Sequence, residues 1–459
     1  MGLTQSQTTM SDEAFIKAEK DYSQTLDKEL PEIASLSLKD SQDAVEKLLA
    51  LEKKVRQASD LASSKRVLSE IVKVLRNAGD WKQMNETVQL LSKKHGQLKT
   101  AVASLIQEVI AGLDDAPSLA TKIETIDNVR TICEGKIYLE MEHARVTRML
   151  AQIKEDEGDI SAAADLLGEL QVETFGSMDM REKTEFILKQ MELYIKKGDF
   201  TFAAIVSRKI LPRYFDKEEV HDQKLRYYEL SVEIALHDNK YLETCQDYRH
   251  IYDTPVIQAD EKRKQTVLTN MVLFAILAPH DNLRNDLLHK LALESDLPQL
   301  PVYEQLVRMF TTLELIRWPK VEEVYGDKLK TFWVFDVTDA ESGAASTQRW
   351  QDLRQRVIEH NILVIAKFYT RITIAGLAEL LDLTPSEAEK ILAKLVTSGM
   401  VYARINRPQR IVSFAKTKDT NDVLNEWSYN TGKLLEHVET IGHLIAKEEM
   451  MLGIRTKLE

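Results

Sequence analysis

The chain has 459 residues, of which 44% are hydrophobic, and a formal net charge of −12 at pH 7. This length gives room for about three domains with sizeable cores, and the acidic balance argues against a protein that binds polyanions along its whole length. Gly (16 residues) and Pro (10 residues) fall well below average usage, so turns are scarce and the predicted fold class is mainly α.

Cysteine usage indicates a reducing compartment, and hydropathy indicates that no segment spans a membrane. Cys133 and Cys245 lie far apart without metal-ligand spacing, which is the usual pattern of a reducing compartment. The longest apolar run, residues 271–278, has 8 residues, whereas a membrane-spanning helix needs about 20. We therefore expect no membrane segment.

The first residues, Met-Gly-Leu-Thr-Gln-Ser, fit the N-myristoylation pattern with Gly2 as the acceptor. No polybasic cluster follows to supply a second membrane signal, and a single acyl chain anchors only marginally. An unmodified tail up to about Ser11 is the simpler interpretation. We assign residues 1–39 to an N-terminal tail and a first helix.

Between residues 40 and 335 a short turn recurs, which predicts stacked helix-turn-helix repeats. Each copy has a residue suited to the left-handed backbone, usually an acidic N-cap, and then an apolar residue that opens the next helix. The expected left-handed positions are Gly79, Gly158, Gly198 and Asn239. Their spacing gives a period near 40 residues, with a hidden copy where Ser118 would cap a helix. The pattern favours an α-solenoid of TPR-like repeats over an irregular helical bundle, its alternative.

Residues 339–346, Asp-Ala-Glu-Ser-Gly-Ala-Ala-Ser, are the best loop candidate in the C-terminal half. We expect this loop to tether the next domain flexibly. The aromatic residues just before it, within residues 332–335, suggest nevertheless that the two parts pack.

Residues 346–416 have the element order of a winged helix. An amphipathic helix leads into a short strand around residues 372–374 and a second helix. Thr384, Pro385 and Glu387 then form the capping-box pattern of a third helix, and a glycine at 399 is its expected stop. Two strand-like segments follow around a basic turn, which would be the wing.

A winged helix is compatible with DNA reading and with protein assembly. Residues 346–416 hold 11 Lys and Arg and 6 acids, a net charge of 11 − 6 = +5, but residues 385–398 sum to zero and lack Arg, Asn or Gln for base contacts. Assembly is therefore favoured, with the strand 410–414 expected to offer its backbone to a neighbouring sheet. The residues predicted at this edge are Arg404, Arg407, Arg410, Val412 and Phe414.

Residues 419–459 are predicted to form a long C-terminal helix. Apolar residues recur every seven positions in two interleaved sets, which is typical of a helix that pairs along a seam. The alternative is that the chain's own solenoid covers the seam, but a helix after a complete domain is better placed to join a bundle with other chains. The residues predicted at this interface are Leu424, Trp427, Leu434, Val438, Ile441 and Ile445.

Catalytic motifs are missing from the sequence. There is no Walker A, Gly-x-Gly-x-x-Gly, Gly-x-Ser-x-Gly or His-Glu-x-x-His pattern, and none of the ten histidines forms the His-x-His pair of a JAMM-type isopeptidase. Glu140 and His143 make one Glu-x-x-His pair without the second copy that a di-iron site requires. The sequence predicts no enzyme, no metal and no cofactor.

A solenoid followed by a winged helix resembles the PCI-domain proteins of the proteasome lid, the COP9 signalosome and translation initiation factor three. Four segments carry a closer resemblance: RVIEHNI at 356–362, AKFYTRIT at 366–373, LAELLDL at 377–383 and HLIAKEEM at 443–450. They are similar to the family of the 26S proteasome regulatory-particle non-ATPase subunit five, called non-ATPase regulatory subunit 12 in animals.

The resemblance implies a non-catalytic lid scaffold of the cytoplasm and nucleus that supports ubiquitin-dependent degradation. It implies that the helical part of the PCI domain begins at about residue 240. The implied partners are other lid PCI subunits, the lid deubiquitinase subunit, the ATPase ring and the core particle, in a hetero-oligomer without nucleic acid or membrane. The alternatives are subunit four of the COP9 signalosome and, in a different class, a nucleic-acid-binding winged-helix protein.

Overall fold

The computed structural model describes residues 22, 26–30, 33, 41–58, 60–217, 220–336, 343–415 and 419–458. The chain divides into two units, Met1–Val267 and Leu268–Glu459. The candidate acylation site Gly2 and residues 337–342 of the expected loop lie outside the described residues.

The first unit consists of consecutive helices joined by short turns, and the mainly helical class is confirmed. Among the described residues, 3₁₀ turns lie in the connections at Leu113–Asp115, Ile137–Leu139, Val172–Thr174, Pro212–Asp216 and, in the second unit, Leu297–Gln299. The α-helices are α1 Ser41–Gln57, α2 Leu61–Ala78, α3 Trp81–Lys93, α4 Lys99–Ala111, α5 Leu119–Cys133, α6 Glu140–Asp156, α7 Ile160–Gly168, α8 Met180–Lys197, α9 Phe200–Ser207, α10 His221–His237, α11 Tyr241–Tyr252, α12 Pro255–Ala259 and α13 Glu261–Leu277.

The repeated turn has the predicted left-handed backbone. The φ values are +76° at Gly79, +87° at Gly158, +87° at Gly198 and +55° at Asn239. The predicted Ser118 cap is also present, because its side chain accepts a hydrogen bond from the Thr121 N–H. Of the acidic residues expected to cap, Asp159 does so, whereas the side chains of Asp80 and Asp199 make no cap hydrogen bond.

Each helix hairpin buries its apolar stripe against its neighbours. In α2 the buried residues recur at helical spacing, including Val67, Leu68, Ile71 and Leu75. They belong to one apolar cluster that extends from the N-terminal segment to α6, and a second cluster continues from α6 to α10. The buried Leu26 and Ile33 join the first cluster, so described residues before α1 add to the core of the first hairpins.

Ion pairs cross from one repeat to the next along helices α6, α8 and α10. Arg145 meets Glu182 at 2.8 Å, Glu155 accepts from Lys189 and Lys196 at 2.8 Å and 2.7 Å, and Glu192 pairs with Arg226. Burial acts to raise the pKa of Glu192, but hydrogen bonds from its lysine and arginine partners outweigh it and lower this pKa to about 2. Single surface pairs are worth at most about 1 kcal/mol, so their main effect is to hold the register between repeats.

The second unit combines helices with a small sheet. Its elements after α13 are α14 Asn282–Ala292, α15 Pro301–Thr311, α16 Trp318–Lys330, α17 Gly343–Phe368, β1 Arg371–Thr373, α18 Ile374–Leu381, α19 Pro385–Thr397, β2 Arg404–Asn406, β3 Ile411–Ser413 and α20 Thr420–Leu458. The sheet order is β1-β3-β2, with both neighbours antiparallel to β3. Helices α17 to α19 and the inner side of this sheet share one apolar cluster, which is the predicted winged helix.

The flexible tether expected at residues 339–346 is wrong over its described part, because α17 already begins at Gly343. Ser346 is fully buried. Arg349 donates to the Val334 carbonyl at 3.2 Å, and Trp350 packs edge-on against Phe335 with ring centroids 5.6 Å apart. The aromatic segment before the expected loop is therefore packed against the first helix of the winged helix.

Buried polar side chains connect the helices of the second unit. Arg284 donates to the carbonyls of Ala275 and Ile276 at the C-terminal end of α13, at 3.0 Å and 3.1 Å, where a cation is favourable. His360 donates from Nε2 to the Glu314 carbonyl at 3.2 Å. Burial, followed by the charge of Arg284, lowers the pKa of His280, and burial also lowers the pKa of His360. Both imidazoles are thus held neutral.

Replacing Gly198 by alanine should lower the free energy of unfolding by about 1 kcal/mol, because L-residues are strained in the left-handed region. No atom lies within 4 Å of the added Cβ, so the backbone alone causes the loss. Gly176→Ala is the matched control, since its Cβ also meets nothing and its φ is not positive. Denaturant titrations of both variants test this prediction. Equal unfolding midpoints would show that the left-handed backbone at residue 198 does not cause the loss of stability.

Acidification should destabilise the chain through its buried neutral histidines. An unfolded histidine has a pKa near 6.5, while burial lowers the pKa of His360 when folded. Below about pH 6.5 the histidine of the unfolded state therefore binds a proton, while the same histidine of the folded state stays neutral. For each such histidine, the free energy of unfolding falls by up to about 1.4 kcal/mol for each pH unit of acidification.

His360→Gln keeps an N–H donor for the Glu314 carbonyl but does not titrate. Unfolding measured from about pH 7.5 down to 5.5 should therefore show a shallower loss of stability for this variant than for the natural chain. An identical slope would exclude His360 as a source of the pH dependence.

Candidate assembly interfaces

The C-terminal helix α20 spans 39 residues, Thr420–Leu458, or about 58 Å. The segment contains no proline, Asp419 accepts from the Thr420 N–H at 2.7 Å, and Asp422 in the first turn complements the helix dipole. The long helix predicted from the heptads is confirmed.

The apolar seam of α20 is exposed to solvent. The six predicted interface residues are between 54% and 69% exposed, and every described side chain from residue 419 to 453 is classed as exposed. Among the described residues, the seam is therefore an uncovered apolar surface. At 100° per residue, Trp427, Leu434, Ile441 and Ile445 fall within about 40° of one another around the helix, so they form one continuous stripe.

The apolar surface of α20 is wider than the predicted seam. Leu435 and Leu444, both more than half exposed, flank the stripe on opposite sides by helical geometry, and Val423 extends it toward the N-terminus. A two-stranded coiled coil needs only the narrow stripe, whereas a helix inside a bundle buries a broader face. The heptad pattern does not include these residues, because they lie outside its two positions.

Burial of the six seam residues would provide a substantial driving force. Each fully buried apolar side chain of this size contributes roughly 1.5–3 kcal/mol, so the six together contribute at most roughly 9–18 kcal/mol, an upper limit because the free helix already hides part of this area. Association costs at least about 4 kcal/mol. The remainder is sufficient to decide whether the chain enters a complex.

The local signals predicted for the winged helix are present. Thr384 and Glu387 form a capping box at the start of α19, and Gly399 after its end has φ +77°. The wing is a tight turn in which Asn406 accepts from the Gln409 N–H at 3.4 Å. Arg404, on β2, is exposed and lies 5.9 Å from the Tyr402 ring centroid.

The expectation that the strand 410–414 offers its backbone to a neighbour is wrong, because β3 is the central strand of the sheet. Val412 is 1% exposed and Phe414 is 7% exposed, so neither side chain is available to a partner. Arg410 has φ +54°, and its carbonyl accepts from Ile374 N–H at 2.9 Å. Through this hydrogen bond Arg410 connects the end of the wing to the residue that follows β1.

Alternation along β3 shows which backbone groups reach the outer edge of the sheet. The Phe414 N–H donates to the Thr370 carbonyl and the Ile374 N–H to the Arg410 carbonyl. Because groups alternate along an antiparallel strand, Val412 midway between them also bonds toward β1. Its partner residue on β2, Ile405, then directs its N–H and C=O away from β3. The accessible edge is β2 at Ile405.

Arg407 in the wing is 80% exposed and donates to Glu389 of α19 at 2.7 Å. This ion pair joins the basic wing to an acidic side chain on the helix that would have to read DNA. The positive charge of the wing is thus partly compensated within the winged helix. This geometry favours protein contacts over phosphate contacts.

No part of the described structure has the arrangement of a catalytic centre. An open groove of about 370 Å³ is lined by Cys133, Glu140 and His143 among others. Burial and the nearby Glu142 raise the pKa of Cys133 to about 12, and burial lowers the pKa of His143, so a thiolate–imidazolium pair is disfavoured. Among the described residues no group of acidic, His or Cys side chains could hold a metal ion, and no described helix could cross a membrane.

Three domain families match this sequence. "PSMD12/CSN4, N-terminal" covers residues 43–260, "PCI domain" covers 327–416, and "26S proteasome regulatory subunit RPN5 C-terminal domain" covers 421–453. The third match coincides with the exposed helix α20, and the second includes all of the winged helix.

Full-length relatives cover the same range. The chain is 50% identical over 450 residues to the 26S proteasome regulatory subunit RPN5 of Saccharomyces cerevisiae, covering 98% of this chain and 100% of the relative. It is 44% identical to the regulatory subunit rpn501 of Schizosaccharomyces pombe, over 96% and 98%. It is 39% identical to the 26S proteasome non-ATPase regulatory subunit 12 homolog A of Arabidopsis thaliana, over 89% and 96%.

Proline substitutions should distinguish the edge of the sheet from its centre. Val412→Pro removes a ladder donor from the buried central strand and should cost about 3 kcal/mol or more. Ile405→Pro removes only an outward donor and should cost about 1 kcal/mol, from lost side-chain packing. Thermal unfolding of the two variants compares these costs; a larger loss for Ile405→Pro would contradict the strand order.

Proposed function

The chain belongs to the RPN5/PSMD12 family of 26S proteasome regulatory subunits, and from this premise we propose that it is a non-catalytic scaffold that enters the proteasome lid through α20 and its winged helix. Its relatives are named proteasome regulatory subunits, and it carries a PCI domain. A subunit of this kind assembles with other proteasome subunits and supports ubiquitin-dependent proteolysis.

The observation that carries the proposal is the exposed apolar face of α20. About 58 Å of helix presents leucine, valine, isoleucine and tryptophan to solvent, an arrangement that a monomer tolerates poorly. The match to the RPN5 C-terminal domain falls on the same residues, 421–453. We propose that the interface includes Leu424, Trp427, Leu434, Val438, Ile441 and Ile445, in a bundle with helices of other lid subunits.

The winged helix supports a second contact, with neighbouring PCI subunits. We assign it to the outer edge of β2, where Arg404 is exposed and the Ile405 backbone points outward, with Arg407 and Arg410 in the adjoining wing. Val412 and Phe414 act indirectly, as the buried centre of the sheet. Residues 346–416 and 419–459 are thus proposed as two separate assembly elements of the chain.

From its membership of this family we also propose the partners of the chain and the compartment in which it works. The solenoid, proposed at residues 40–335, would contact the lid deubiquitinase subunit, the ATPase ring and the core particle. Its inter-repeat ion pairs, such as Arg145 with Glu182, support a firm extended surface for such contacts. The proposed location is the cytoplasm and nucleus.

A non-catalytic role is supported by the titratable groups of the described residues. The buried cysteines have raised pKa values, and the described residues form no metal-binding cluster. The COP9 signalosome alternative has less support, because relatives over nearly the whole chain are proteasome subunits. The nucleic-acid alternative is disfavoured by the neutral helix α19 and the paired Arg407.

A double substitution in the seam tests the proposal. Leu434→Asp with Ile441→Asp places two charges on the stripe, and we expect incorporation into the lid to fall at least tenfold, because desolvating a charge costs several kcal/mol. Co-purification with an affinity-tagged lid subunit measures incorporation. Tyr429→Asp, on nearly the opposite side of α20 and 61% exposed, is the matched control.

The seam variant should have the circular dichroism and unfolding midpoint of the natural chain, because the side chains of Leu434 and Ile441 are more than half exposed. Normal incorporation of the seam variant would show that α20 does not drive assembly. Equal loss with Tyr429→Asp would mean that charge on the helix, and not the position of the stripe, is responsible.

A further inference from the structure

The three-stranded sheet of the winged helix has an outer face that its helices do not cover. Side chains alternate between the two faces of a strand, and the cross-strand partners Ile372, Val412 and Ile405 pack in or against the apolar cluster on the inner side. The residues next to them in sequence therefore point to the outer face. They are Arg371 and Thr373 on β1, Ile411 and Ser413 on β3, and Arg404 and Asn406 on β2.

One row of this outer face holds two arginines. Arg371 and Arg404 both lie directly opposite Ser413, and neighbouring strands are about 5 Å apart, so the Cα atoms of the two arginines are about 10 Å from each other. Both arginines are exposed, and Ser413 between them is partly exposed. The row thus presents two guanidinium groups and a hydroxyl to the same side of the sheet, and all three can donate hydrogen bonds to an oxyanion.

The positive charge of this row is not compensated within the described chain. Arg407 in the wing is paired with Glu389, whereas neither Arg371 nor Arg404 has a carboxylate partner among the described residues. The six residues of the outer face include no acid. Opposite charges on one face of a sheet attract and like charges repel, so this row is complementary to a negatively charged surface.

We propose that the outer face of the winged-helix sheet binds an acidic segment of a neighbouring proteasome subunit, with Arg371 and Arg404 each donating to an aspartate or glutamate. Charge supports this partner, because residues 346–416 have a net charge of 11 − 6 = +5 in a chain of net charge −12. A carboxylate is also the protein group that a guanidinium binds with two parallel hydrogen bonds.

The position of the row also supports a subunit contact. Arg404 lies on β2, whose outer edge is the contact proposed above for a neighbouring PCI subunit, so the face and that edge adjoin one another. The Arg404 guanidinium lies 5.9 Å from the centre of the Tyr402 ring, a contact that holds this side chain in place before a partner binds. The inference rests on the proposed function, since it places the acidic segment in the assembled particle.

A nucleic acid fits this face less well than an acidic protein segment. Phosphates repeat about every 3.4 Å along each strand of a duplex, whereas the two arginines are about 10 Å apart. The cation of the adjoining wing, Arg407, is already paired with Glu389. The face therefore lacks the continuous basic surface that a phosphate backbone requires.

Charge reversal at Arg371 distinguishes the face from the edge of β2. Because β3 lies between β1 and β2, a contact confined to the outer edge of β2 does not need Arg371. The natural and variant full-length chains are co-expressed with an affinity-tagged lid subunit, and their ratio in the purified lid is measured. We expect Arg371→Glu to incorporate at least about tenfold less than the natural chain, because an attractive charge pair becomes a repulsive one.

The matched control is Lys390→Glu. It makes the same change of charge at an exposed residue of α19, which packs on the inner side of the sheet, and it should incorporate normally. Both variants should keep the unfolding midpoint of the natural chain, because both side chains are exposed.

Zero-length crosslinking tests the chemistry of the partner without removing the positive charge. Arg371→Lys supplies an amine that a carbodiimide couples to a carboxylate in contact with it. In the purified particle we expect an amide bond between residue 371 of this variant and an aspartate or glutamate of a neighbouring subunit. Lys390 of the same chain is the internal reference and should give no product with that carboxylate.

The outcomes separate this inference from the proposed function. If Arg371→Glu incorporates as the natural chain does and residue 371 forms no crosslink, the face is not a contact and the scaffold role stands. Equal loss with Lys390→Glu would attribute the effect to net charge and refute the site. A crosslink to a carboxylate of this chain, or release of the chain from the particle by nuclease, would overturn the proposed partner. A natural chain that does not co-purify with the lid would refute both the scaffold role and the acidic partner.

Discussion

Each helix hairpin of the first unit leaves an apolar face that it cannot cover alone, and the architecture follows from this constraint. Stacking the next hairpin onto that face produces continuous clusters from the N-terminal segment to α10. The left-handed turn at Gly79, Gly158, Gly198 and Asn239 reverses the chain at a nearly constant interval. Hydrophobic burial alone would allow neighbouring hairpins to slide along one another. Ion pairs between repeats, such as Arg145–Glu182, fix their register.

The same constraint reappears at the C-terminus without a solution inside the described chain. Helix α20 has an apolar stripe and flanking leucines, all exposed. In the solenoid the next hairpin covers such a face, whereas the cover that we propose for α20 comes from other chains. On this proposal, a chain whose last hydrophobic surface is buried only in a complex gains its full stabilisation only there.

Helix α17 connects the parts of the second unit. Its first turns hold Arg349 and Trp350 against the segment before it. Its middle binds the connection between α15 and α16, because Asn361 and His360 donate to the carbonyls of Ile316 and Glu314. Its last turns contribute Ile362 and Ile365 to the winged-helix cluster. The winged helix and the connection between α15 and α16 are therefore both held by one helix.

Sequence alone determined what depends on local pattern. The left-handed turns, the capping box at Thr384, the helix stop at Gly399 and the heptads of α20 are set by residues a few positions apart, and each was predicted from its own segment. Strand order was decided only by the tertiary structure. Nothing local to Val412 distinguishes a central strand from an edge strand, because that depends on which segments pair on both sides of it. The packing of Ser346 and the hydrogen bonds between Asn361 and Ile316 likewise depend on contacts with residues distant in sequence, and no local pattern encodes them.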